Sequence, residues 1–213
     1  MAILFNIGGN SSGTANLRQV TFTTTADTFA VGYLYSRSAG SVTSIIDTQG
    51  NVWQEYLEVG AGPFQSLWYT NLATGAITIN CNINASVACA FLVNAYTGAN
   101  AITEISPTYT GIGTTVDSGS ITVHQAFDSM VVACMGTSTN TPAITNPGGY
   151  TQEQSTGNIH ARMCDLFQAG LGTYDPQYTL DVSDTWNAMT FAIQNTVTNQ
   201  LYTPDSKNFG FNF

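Results

Sequence analysis

A chain of 213 residues with 13 Asp and Glu against 4 Lys and Arg, formal charge −9, is a poor partner for nucleic acid or an anionic membrane, because both depend on clustered cations. Only 8% of residues are charged, Thr, Ser, Asn and Gly fill the polar positions, and Glu–Lys pairs at four-residue spacing are missing, all of which argues against helices. The longest apolar runs, such as Met130 to Met135, are of strand length, so no segment is expected to span a bilayer.

Residues 1–9, MAILFNIGG, have no basic region ahead of a long apolar stretch, so they do not read as a secretory leader, and synthesis in a cytoplasm is expected. Residues 1–14 are expected to form an N-terminal segment in contact with another subunit. Strand patterns then follow at Arg18 to Thr25, Phe29 to Ser36, Val42 to Ile46, Val52 to Val59, Phe64 to Asn71, Ala76 to Ile83 and Val87 to Tyr96. Further strands are expected at Ser120 to His124, Ser129 to Thr137, Asn158 to Phe167, Gln177 to Val182 and Trp186 to Gln194, with a loop from Pro142 to Gly149.

The alternation in Ile77-Thr78-Ile79-Asn80-Cys81-Asn82-Ile83 gives one apolar and one polar face, whereas Met130 to Cys134 is apolar on both and fits a strand covered on both sides. Trp186 is expected to be buried together with Phe191 and Ile193. If residues 84–86 form a hairpin loop, Cys81 lies opposite Cys89; the competing reading, preferred for a reducing compartment, keeps all four cysteines as buried free thiols. About a dozen short strands at this spacing predict an all-β, two-sheet antiparallel β-sandwich, jelly-roll in type.

No shift in composition divides residues 1–195, which are read as one domain. Residues 196–213 change character and read as an extended C-terminal arm. In an extended chain Phe209, Phe211 and Phe213 share one side, which marks them as partner-binding residues expected to fill an apolar groove on a neighbour.

Catalytic patterns are sparse. Neither His124 nor His160 belongs to a recognisable motif, no G-x-S-x-G elbow occurs, and both histidines read as half-exposed strand residues. Most Asp residues neighbour Gly, Pro, Ser or Thr and are explained by turn hydrogen bonds, which leaves Glu55, Glu58, Glu104 and Glu153 without a pair singled out. Asp181 and Asp184 flank one turn and could share a cation, but no calcium-loop pattern is present, the cysteines lack zinc-site spacing, and no cofactor or metal is expected. Trp53, Tyr56 and Trp68, with Phe64 and Tyr69 nearby in sequence, form a candidate platform for stacking on a sugar ring; the competing reading buries both tryptophans in the core.

Three stretches carry a resemblance: Ser41-Val42-Thr43-Ser44-Ile45-Ile46-Asp47-Thr48-Gln49-Gly50-Asn51-Val52-Trp53, then Leu67-Trp68-Tyr69-Thr70-Asn71-Leu72-Ala73-Thr74-Gly75, then Val93-Asn94-Ala95-Tyr96-Thr97-Gly98. They are similar to the turn and strand motifs of a jelly-roll-like β-sandwich family found in bacteriophage structural proteins and bacterial surface proteins. Ala169 to Tyr174 and Trp186 to Ile193 look like its closing strands. The resemblance covers residues 15–195, and the family has no single activity. It implies a non-enzymatic virion structural protein, a capsid decoration or cement protein on the outer surface of a bacteriophage shell. Such a protein would form homo-oligomers and contact the major capsid protein. The alternative is a carbohydrate-binding adhesin or tail receptor-binding module. The acidic charge suits an outward position better than one against packaged DNA.

Overall fold

The computed structural model describes residues 3–60, 63–106, 109–124, 129–139, 142–157, 159–167 and 169–195. In chain order the strands are β1 (Leu4–Thr24), β2 (Thr28–Ser36), β3 (Val42–Asp47), β4 (Gln54–Val59), β5 (Phe64–Leu72), β6 (Gly75–Thr97), β7 (Ala101–Ile105) and β8 (Tyr109–Asp117). They continue with β9 (Ile121–Val123), β10 (Ser129–Thr137), β11 (Ile144–Thr145), β12 (Thr151–Ser155), β13 (Ala161–Leu166), β14 (Gly172–Tyr174) and β15 (Gln177–Gln194). All pairings are antiparallel, no helix occurs among the described residues, and two large sheets pack face to face as a β-sandwich, as the alternation predicts.

The two sheets repeat one strand order. The first runs β1-β6-β2-β5-β4 with β3 on the far end of β6; the second runs β8-β15-β10-β13-β12 with β11 on the far end of β15. The registers repeat as well. Tyr33 sits opposite Leu67 and Leu92 in the first sheet, and Cys134 sits opposite Met163 and Met189 in the second. Leu4 pairs with Thr97 where Ala101 pairs with Gln194, so β7 and β8 together take the place that β1 holds as one strand.

Equivalent faces of the two halves meet in the central core. Phe29, Val31, Tyr33 and Tyr35 of β2 share a cluster with Met130, Val132 and Cys134 of β10 and with Met189, Phe191 and Ile193 of β15. Each sheet also bends, and its far end folds over its own outer face. In the first half Val20, Phe22, Ile77, Ile79 and Ile83 of the folded-back ribbon cover Ala30, Leu34, Phe91 and Val93. In the second, Val116, Ile144, Tyr178 and Leu180 cover Ala133, Met135 and Trp186. All nine residues of β2 and all nine of β10 are therefore buried, because each strand is covered on both sides. The bends fall at Gly13 (φ 142°) and Gly113 (φ 151°), backbone angles that a side chain would strain.

Several expectations are corrected. The first strand, expected from Arg18, begins at Leu4, and residues 4–14 pair along β6 within the chain's own sheet; that pairing does not bear on their expected contact with another subunit. Residues 84–86 do not close a hairpin: β6 runs unbroken through them and bows outward where Ala15 pairs with Val87 and Leu17 with Asn82. Cys81 therefore pairs with Arg18 and Cys89 with Gly13, and all four cysteines are free and buried. Gln177 to Gln194 is likewise one bent strand rather than two, and the expected loop at 142–149 contains β11. Trp186 is buried, but strand parity places it on the opposite face from Phe191 and Ile193. His124 follows β9 and His160 precedes β13, so neither lies within a strand.

Candidate functional site

The folded-back ribbon of the first half turns a three-stranded face outward. Alternation sends Val20, Phe22, Ile77, Ile79 and Ile45 inward, leaving Leu17, Gln19, Thr21 and Thr23 of β1 on the outside with Thr78, Asn80 and Asn82 of β6 and Ser44 and Ile46 of β3. None of these is charged. Their polar groups also bond one another across the strands. Gln19 Nε2 donates to Asn80 Oδ1 at 2.9 Å, the Thr21 and Thr78 hydroxyls are 3.1 Å apart, and Asn82 Nδ2 donates to Ser44 Oγ at 3.0 Å. The Thr48 hydroxyl accepts from the Thr78 backbone N–H at 3.0 Å.

The equivalent ribbon of the second half carries an exposed row of Thr115, Thr179 and Thr145 across three strands, flanked by Asp117 and Asp181. The molecule thus has one neutral and one acidic outer face. Hydrophobic alternation alone locates both faces, but which strands lie side by side comes from the bends.

The aromatic residues separate. Trp53 is 7% exposed, packs in the cluster beneath the neutral ribbon and donates from Nε1 to Asp47 Oδ2 at 2.8 Å. The Asp47 carboxylate also accepts the backbone N–H groups of Gln49 and Asn51, so one side chain holds the turn and the indole. Trp68 is half-buried against the same cluster, with Nε1 on Ser66 Oγ. Tyr56 is 38% exposed on the other side of the sheet, edge-on to Tyr69 at 6.2 Å, and Tyr69 packs against the central core. Trp53, Tyr56 and Trp68 therefore share no common surface.

The carboxylates are largely committed to architecture. Asp184, 7% exposed, accepts from Ser138 Oγ at 2.6 Å, Thr139 Oγ1 at 2.7 Å and the N–H groups of Thr139 and Thr185. Burial opposes its charge, yet these donors outweigh it and hold the carboxyl below its usual value. Asp181 accepts the Ala143 N–H instead, so the two flanking aspartates serve different loops. Glu58 accepts the Val42 N–H at 2.9 Å, and Glu104 lies 3.8 Å from His124. Glu55 is exposed on β4, and burial raises Glu153 on β12. No group of three or more metal-ligating side chains occurs among the described residues.

One polar cluster was not singled out from the sequence. Between the sheets, Asn94 Nδ2 donates to Tyr96 Oη at 2.8 Å and Tyr96 Oη donates to Asp165 Oδ1 at 2.9 Å. Asp165 Oδ2 and Asn94 Oδ1 are buried without partners. Burial pushes the Asp165 carboxyl well up, against the Tyr96 hydrogen bond and with help from Glu153. The signal was there to read: an Asp inside Met163-Cys164-Asp165-Leu166, a run that is otherwise apolar. Phe209, Phe211 and Phe213 lie outside the described residues.

Comparison with family models, with curated proteins and with solved structures finds no match.

Proposed function

We propose that this chain is a non-enzymatic structural protein of a virus particle, a decoration subunit on the outer surface of a bacteriophage shell, and that it applies the neutral β1-β6-β3 face to neighbouring subunits. One observation carries the reading: in a chain of charge −9, this face has no charge, and three pairs of its polar side chains bond each other across the strands. Desolvating such a surface strips water from no charge, and depletion of charge marks the core of protein interfaces. Copies that repel through their acidic surfaces can meet there without opposing charge. The acidic face of the other half then points to solvent.

A glycan-binding module is the competing reading from sequence. The aromatic residues give it less support, since Trp53 is in the core and Tyr56 and Trp68 lie on opposite sides of a sheet.

Thr78→Lys and Asn80→Lys test the proposal, because a charge buried at a contact is costly. Both variants are expected to keep the parent's melting temperature while binding shells of the source particle about tenfold more weakly or worse. Undiminished binding of both would overturn it.

A further inference from the structure

In the second half a cleft of about 260 Å³ opens between Pro142-Ala143-Ile144, leading into β11, and the β12–β13 hairpin, which contributes Ser155 at the end of β12, His160 from the connection and Arg162 from β13. With 4 Lys and Arg in the whole chain, a cleft that brings an arginine and a histidine together is an unusual use of them.

Arg162 is half-buried, and its one side-chain hydrogen bond among the described residues runs from Nη1 to Asn146 Oδ1 at 2.6 Å. Burial lowers its basicity, and the neighbouring groups that act on it are Cys164 and Tyr178, not a carboxylate. A guanidinium stays charged in such surroundings and presents a planar fork of donors suited to a carboxylate. The remaining groups complete a site. The carbonyl of Pro142 lies 2.8 Å from His160 Nδ1 and accepts its proton, so in the neutral ring Nε2 is left as an acceptor. Ser155 Oγ accepts from Gln152 Nε2, so its own proton remains to be donated. Thr156, by contrast, is committed to the Ile159 carbonyl.

We propose that this cleft binds a carboxylate-bearing sugar residue, a uronic or sialic acid, with the carboxylate on Arg162 and a ring hydroxyl donating to His160 Nε2. Its volume falls just below the usual range for ligand sites, which suits a single ring rather than an extended chain. Pro142, Ala143 and Ile144 supply an apolar wall for the ring's carbon face. The acidic surface repels anions in general, so affinity has to come from the fork and the hydroxyl contacts together. The site is in the half opposite the neutral ribbon and does not rest on the particle reading.

The full chain is titrated with N-acetylneuraminic acid, galacturonic acid, galactose and acetate at millimolar concentrations, by calorimetry or by NMR shifts of residues lining the cleft. At least one acid sugar is expected to bind, with galactose and acetate markedly weaker. Arg162→Gln should weaken that binding about tenfold or more, and Arg162→Lys should also weaken it because a point charge lacks the fork. Ala143→Glu changes an exposed position and brings a competing carboxylate to the cleft, so it should abolish binding with an unchanged melting temperature even if the Arg162 variants fold poorly. The proposal falls if neither acid sugar binds, if galactose or acetate binds as tightly, or if Ala143→Glu binds like the parent.

Discussion

Asp165 sits between the sheets with Oδ1 accepting from Tyr96 and Oδ2 unpartnered, facing Tyr96 of β6, Glu153 of β12 and Cys134 of β10 beside its own neighbour Cys164. Burial raises its folded value above the unfolded one of about 3.9. Its favourable contribution is therefore complete below the unfolded value and is lost as pH rises through the folded value. Asp165→Asn keeps an acceptor for Tyr96 and removes that loss. Denaturation at pH 8 should find the variant as stable as the parent or more so. Below pH 4 the advantage should disappear. Parallel stability profiles for variant and parent would show that Asp165 does not titrate this way. Asp184 acts in the opposite direction, since its depressed value adds stability that is lost in acid.

At the scale of the element, close approach between the halves depends on Gly136 in β10. A Cβ built there would lie 2.2 Å from the Tyr35 ring, which is itself fully buried. Gly136→Ala should therefore cost about 1–3 kcal/mol or more, read as a lower denaturation midpoint with an unchanged slope. A neutral effect would mean that the ring can move. The long strands explain where sequence reading stopped. Asn84-Ala85-Ser86 has turn chemistry, but a strand bowing out of its sheet needs the same small polar residues, so composition does not separate a hairpin from a bend. For Trp186 parity was available, since an even position cannot share a strand face with Phe191 and Ile193 unless a bulge intervenes.

For the whole molecule, the repeated strand order raises the question of whether each half stands alone. It should not, because Phe29, Val31, Tyr33, Tyr35, Leu92 and Tyr96 would lose the partners that Met130, Val132, Cys134 and Phe191 supply. A continuous apolar face of that kind exceeds what monomers leave in water. Residues 1–99 expressed alone are expected to aggregate or pair through this face, seen as a size shift in gel filtration. A monomer that unfolds cooperatively would show that the first half is autonomous. The same packing explains how an acidic chain with few charged residues holds a deep core: two bent sheets give each central strand cover on both sides.

The all-β class, the positions of most strands, the doubly apolar character of Met130 to Cys134 and the turn role of Asp47 were all legible in the sequence. They depend on local alternation and on side chains that bond within a few residues of themselves. The duplicated strand order, the folding of each sheet over its own face, the separation of Trp53, Tyr56 and Trp68, and the meeting of His160 with Arg162 in a cleft were decided only in three dimensions. Alternation says which side of a strand is apolar. It cannot say which distant strand will cover that side, and every candidate surface here depends on that choice.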